Sequence, residues 1–307
     1  MSLETDLLLD RRRLKRRLVF WRTASVLALA LAGLASIHSS GVSLGGSRVA
    51  RLVVSGVITE DRKLTKALEK LADDSQVRAV MVVIDSPGGS VAGGESLHGA
   101  LVRIAAKKPV VSVMGGVAAS AGYMIAVPAA RIFAREATLT GSIGVLMETR
   151  EISGFLGKVG VTTDAIISGP MKDQPSFVKP MSPAGRAVLQ GLVTDMYDLF
   201  VAMVATGRHM TVEQVRELAD GRVYTGRQAL KLGLVDAIGG EKEARAWLAS
   251  AKGIPETVPA EDVSTSGLAE RALAGTLAPV LDGLNKLLIS QSVMLDGAWA
   301  IWQRPAN

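Results

Sequence analysis

Val77–Asp85 reads VRAVMVVID, a nearly continuous apolar run that ends in Ser86-Pro87-Gly88-Gly89-Ser90. A short run rich in β-branched residues and closed by Pro and Gly is a strand. Without polar alternation it is a strand buried on both faces, which is the habit of parallel sheets crossed by helices. The neighbouring segments agree. Arg48–Ser55 (RVARLVVS) is a first apolar strand and Pro109–Met114 (PVVSVM) a third. Asp61 or Thr59 caps a helix to about Ala72, with Leu64, Leu68 and Leu71 on one face. A second helix runs from the Ser86–Ser90 turn to about Ala106, and a third follows the Gly115–Gly122 loop. Arg131–Ala134 and Ile143–Met147 read as further short strands. Repeated strand–helix units predict an α/β domain with a largely parallel sheet.

The second half is more helical. Pro183–Gly207 reads as one long amphipathic helix, with Val188, Leu192, Met196, Leu199 and Met203 recurring at helical spacing. Thr211 and Gln214 form a capping box that opens another helix. Gly221–Thr225 is a strand or turn, and Gly226–Leu232 and Glu241–Ala251 are helices. After Gly253 the composition loosens into a linker, followed by an amphipathic helix at Leu268–Ile289. Core, oligomer contact and membrane surface are all open for that last helix, and Trp299 and Trp302 lie beyond it.

The net charge of +6 is largely an N-terminal feature. Residues 1–22 hold seven Arg or Lys against three acids. Behind them Thr23–Ser47 carries no charge, with an apolar centre at Ala24–Ile37. A basic flank before an apolar run is a topology signal that keeps the N-terminus in the cytoplasm. The segment is read as a signal anchor over 23–45, with a cleaved signal peptide as the alternative. Either reading exports the body. The expected organisation is a basic segment at 1–22, the anchor, the α/β domain at 48–252, and a linker and helix at 253–307.

The chain has no cysteine and three histidines. Disulfides, thiolate metal sites and cysteine nucleophiles are excluded. Neither the dinucleotide pattern G-x-G-x-x-G nor the phosphate-loop pattern occurs at the glycine-rich loops. Gly88 and Gly89 instead suit a turn whose amides meet an oxyanion. Ser120 sits among tiny residues at a strand-to-helix turn, a placement that suits a nucleophile or a close-packed helix start. The elbow pattern G-x-S-x-G is missing, since Ser120 lies in Ala118-Ala-Ser-Ala-Gly122. His98 and His209 lie on no glycine loop. Lys172 follows an apolar strand in a loop, and a lysine in an apolar setting gives up its proton readily.

Four motifs then occur in order: Ser86-Pro-Gly-Gly89, Val117-Ala-Ala-Ser-Ala-Gly-Tyr123, Leu139-Thr-Gly-Ser-Ile-Gly144 and Gly221–Asp236. Together they resemble the bacterial signal peptide peptidases, the membrane-bound protease IV group of Ser–Lys proteases, over about Val49 to Leu248. The resemblance implies the Clp-protease/crotonase-like α/β fold of repeated β-β-α units. It implies Ser120 as nucleophile, Lys172 as general base, Ser142 as the lysine-orienting serine, and Gly88 with Gly89 at the oxyanion hole. The single domain is similar to the short form of the family, which holds both dyad members in one domain.

The same resemblance implies a serine endopeptidase that uses no cofactor or metal. Its partners would be apolar peptides such as signal-peptide remnants, the inner membrane and further copies in a homo-oligomeric ring, with no nucleic acid. Some sites in such rings are completed across subunit boundaries. The catalytic domain would lie on the periplasmic, extracytoplasmic side. A crotonase-like acyl-CoA enzyme and an inactive scaffold are the competing readings.

Overall fold

The computed structural model describes residues 17, 18, 20–26, 28 and 46–263. The chain divides into two units, residues 1–45 with 266–307, and residues 46–265. In the first, residues 17, 18, 20–26 and 28 are helical. The rest of the expected anchor, the helix at 268–289 and both late tryptophans lie outside the described residues.

The second unit opens with β1 (Arg48–Ile58), α1 (Arg62–Asp73), β2 (Val77–Gly89), α2 (Val91–Ala105), β3 (Val110–Ala119) and α3 (Ala121–Ala126). Asp61 caps α1 by accepting from the Lys63 and Leu64 amides, and Ser90 caps α2 from Gly93. Then come β4 (Arg131–Ala134), β5 (Leu139–Gly141), α4 (Ser153–Lys158) and α5 (Pro183–Arg208). The chain continues with α6 (Val212–Leu218), β6 (Val223–Thr225), α7 (Gly226–Lys231), β7 (Ala237–Ile238), α8 (Glu241–Lys252) and β8 (Ala260–Asp262). The sheet order is β6-β5-β3-β2-β1-β8, with β4 also on β3 and β7 on β4. Every pair is parallel except β5 with β6.

The β2 run is buried on both faces, as its composition requires. Val80, Val82 and Ile84 join the core shared with α1, α2, α3 and α5. Ala79 and Met81 face the other way, toward Ala244 and Leu248 of α8.

A break crosses the sheet and positions the site. The β1–β2 register slips between Ser55 and Val57, and the β2–β3 register slips between Ile84 and Ser86. Beyond that line β3 exchanges partners, pairing β4 through Val111–Met114 and β5 through Val117–Ala119. Each of β1, β2 and β3 is thus two strand segments followed by a helix, which is the β-β-α unit. The strands therefore run further than their apolar cores. Ser86–Gly89 is not a free turn, because Gly88 and Gly89 pair with Val57 and Ile58. Ile143–Met147 is not a strand. Gly141 (φ 78°) and Ser142 (φ 49°) turn the chain out of the sheet, and the strand is Leu139–Gly141 instead.

Two other expectations change. The stretch after Gly253 is more than a linker, because β8 extends the sheet beside β1 and Arg51 pairs with Asp262 at 2.6 Å. On α5, Phe200, Val201 and Val204 are buried, but Val188 and Leu192 are 50% exposed. Among the described residues, α5 is the helix long and apolar enough to cross a membrane.

Candidate active site

Ser120 joins β3 to α3 with φ 54° and ψ −122°. A non-glycine residue pays about 1–3 kcal/mol for such a backbone, so its surroundings must hold it. The Ser120 amide donates to the Gly141 carbonyl at 2.9 Å, and its own carbonyl accepts from the Tyr123 and Met124 amides, both at 2.9 Å. The strand before it is tied at each step. Thr138 Oγ1 donates to the Gly115 carbonyl (2.6 Å), Val117 N–H donates to Asp85 Oδ1 (3.0 Å), and Thr140 Oγ1 donates to the Ala118 carbonyl (2.7 Å). On the helix side, buried Tyr123 donates to the Leu234 carbonyl at 2.8 Å. The tiny neighbours are required by space. A Cβ on Gly122 would lie 3.0 Å from the Ser86 carbonyl. This is the geometry of a nucleophile elbow without its G-x-S-x-G sequence.

Gly88 abuts the serine. Its φ is 112°, and a Cβ there would lie 2.7 Å from Ser120 Cβ. At Gly89 a Cβ would lie 1.9 Å from the Ile58 carbonyl oxygen. The Gly88 N–H donates to Ser86 Oγ at 3.1 Å. The Ser90 N–H donates across to Ile58 on β1 at 2.9 Å. Gly89 lines the cavity that also holds Ser120.

Ser142, held through its amide to the Arg222 carbonyl (2.8 Å), lines the same cavity as Ser120 and Gly89. The cavity is about 700 Å³. Its far wall is Gln190, Val193, Thr194 and Tyr197 of α5, with Asp220 and Gly221 beside them. Hydrogen bonding from Arg222 holds the Asp220 carboxyl below the usual range, and burial pushes the Tyr224 phenol up behind it. Sequence reasoning missed the α5 wall. Gln190, Thr194 and Tyr197 do share one helical line, but nothing local says what that line faces.

Lys172 stands apart. It is exposed, its amide donates to the Gly169 carbonyl (3.0 Å), and it does not line the cavity. The structure therefore brings together Ser120, Ser142, Gly88 and Gly89, and leaves Lys172 outside. The histidines supply no replacement. His98 Nδ1 is engaged with the Met124 carbonyl at 2.9 Å, and His209 ends α5. Among the described residues no three His, Cys, Asp or Glu side chains group as metal ligands.

Comparison with known proteins gives the family. The model of peptidase family S49 matches residues 103–255, and the Clp protease model matches residues 48–141. A Synechocystis sp. chain that carries the protease name slr0021 is 40% identical over 230 residues, 74% of this chain and 83% of its own. An Enterococcus faecium chain named for signal peptide peptidase SppA is 35% identical over 75% of this chain and 72% of its own. A Listeria monocytogenes ClpP1 structure covers 63% of this chain and 92% of its own, at 18% identity and a TM-score of 0.43. From the match with the Synechocystis and Enterococcus relatives over most of their length, the chain belongs to peptidase family S49.

Proposed function

We propose that the protein is a membrane-anchored serine endopeptidase that cleaves apolar peptides, signal-peptide remnants among them, with Ser120 as nucleophile and Lys172 as general base. The observation that carries the reading is the strained Ser120 backbone pressed against Gly88 at the mouth of a peptide-sized cavity. Neutral Lys172 takes the Ser120 proton as Oγ attacks the peptide carbonyl. Two amides meet the oxyanion. One is Gly89, and the other is Ala121, which as the first residue of α3 has no intrahelical acceptor. The lysine then protonates the leaving amine, and water releases the acyl group. Ser142 orients the lysine amine. No cofactor is needed.

Lys172 reaches Ser120 from a neighbouring copy in a ring. Two facts support this. The lysine does not line its own chain's cavity. The stretch that carries it also exposes large apolar side chains, with Leu146 at 87% and Phe155 at 62%. The basic N-terminus and the uncharged run behind it support anchoring in the inner membrane, with the catalytic unit outside the cytoplasm.

The test uses full-length protein in detergent. Ser120→Ala and Lys172→Ala each abolish peptide cleavage, and co-expressing the two variants restores part of it. No cleavage by the wild type would sink the peptidase reading. Dead co-expressed rings would show that both groups must come from one chain.

A further inference from the structure

Ser86 is fully buried, and its hydroxyl lies within reach of three backbone groups, the Gly56 carbonyl and the carbonyl and amide of Gly88. It donates to the Gly56 carbonyl at 2.6 Å and accepts from the Gly88 amide at 3.1 Å. The position explains the need. Between Ser55 and Val57 on β1, β2 advances from Asp85 to Gly88, so β2 carries one residue too many for the ladder. Gly56 takes φ 70° at this point, and Pro87 has no amide to contribute. A β-bulge of this kind leaves ladder groups without their partners. Here the Ser86 hydroxyl stands between the Gly56 carbonyl and the Gly88 amide at the bulge.

We propose that Ser86 is a positioning residue for the oxyanion hole: its hydroxyl bridges Gly56 of β1 and Gly88 of β2 across the bulge and thereby fixes Gly88 and Gly89 against Ser120. The proposal rests on the peptidase reading above. Gly88 has almost no freedom to drift toward Ser120, since its Cα already lies close enough that a Cβ would overlap the serine. It does have freedom to move away once its amide is released. The Gly89 N–H moves with it, because the two residues are joined by one planar peptide. Ser86 touches no reacting atom. It acts only through where Gly89 points.

A serine kept only for stability and one kept for positioning differ in what its loss changes. In the Ser86→Ala enzyme, kcat falls by about 10²-fold, the cost of losing or misplacing one oxyanion donor, while KM is unchanged. A peptide boronate, whose tetrahedral adduct carries the oxyanion, loses affinity by a similar factor. Binding of an uncleaved peptide to the Ser120→Ala and Ser120→Ala/Ser86→Ala chains stays equal. Equal kcat and boronate affinity in wild type and Ser86→Ala overturn the proposal, as does a change confined to KM. A wild type that neither cleaves peptide nor binds boronate sinks the peptidase reading itself. Should the alanine chain fail to fold, Ser86→Thr keeps the hydroxyl. Wild-type boronate affinity in it supports the role, and lost affinity in the folded threonine chain overturns it.

Discussion

Replacing Gly88 by alanine adds one methyl group where the structure has no room for it. The new Cβ would sit 2.7 Å from Ser120 Cβ, 3.0 Å from the Ala119 carbonyl oxygen and 3.2 Å from the Ala121 amide nitrogen. Carbon atoms pack at about 3.5–4.0 Å, so something must move by about 1 Å. All three neighbours belong to the Ser120 turn, and two of the contact atoms are backbone. The φ of 112° adds about 1–3 kcal/mol of strain for any L side chain. A displacement of about 1 Å at reacting groups costs about 10²-fold in rate, equivalent to about 2.7 kcal/mol of barrier. The assay is the rate at which a fluorophosphonate labels Ser120, beside a urea unfolding curve of the same protein. Gly253→Ala is the control. It too has positive φ (63°), but its Cβ would meet nothing within 4 Å. It should lose about 1–2 kcal/mol of stability and no labelling rate. An unchanged labelling rate in folded Gly88→Ala would refute the close approach of this glycine to the serine.

Other perturbations probe the frame behind the site. Asp236 accepts from the Ile132 amide (2.7 Å) and from both Arg208 terminal nitrogens (3.0 and 2.6 Å), and the Arg208 side chain is only 9% exposed. Asp236→Ala strands that charge and should cost about 3–5 kcal/mol, whereas Asp236→Leu with Arg208→Met should cost much less; urea midpoints decide. Tyr123→Phe leaves the buried Leu234 carbonyl without its donor, for a loss of about 1–3 kcal/mol by the same measurement. Burial holds the His98 pKa below its ordinary 6.5. The unfolded chain therefore gains that proton first on acidification, so the His98 contribution is whole above about pH 6.5 and is lost below it. The drop in unfolding midpoint from about pH 8 to about pH 5 should be smaller in His98→Gln.

The central strands and the helix caps were legible because their signals are local. The β2 run is apolar because both its faces are covered, and Asp61, Ser90 and Thr211 precede helices whose first amides they bind. The upper halves of the strands were not legible. Pro87, Gly88, Gly115 and Gly116 read as turn residues, yet all lie within strands that continue past a slip in register. On α5 the periodicity predicted a long amphipathic helix, which forms; only its C-terminal end reaches the core, and Val188 and Leu192 face outward. Hydrophobic spacing reports which face of a helix is apolar and not what covers it. For the site, the motif resemblance pointed to Ser120, Lys172, Ser142, Gly88 and Gly89, and the structure gathers all but Lys172.

The amino-acid order by itself determined a parallel α/β domain, a charged N-terminal flank before an uncharged run, and a serine among residues too small to shield it. Those are consequences of local composition. Only the tertiary structure decided that a line of register slips bends β1, β2 and β3 together, so that Gly88 touches Ser120 from 32 residues away. Only it decided that Lys172 stays outside the cavity that Ser120 and Ser142 line. Pairing register and separation in space depend on how distant segments pack, and no window of sequence contains both partners.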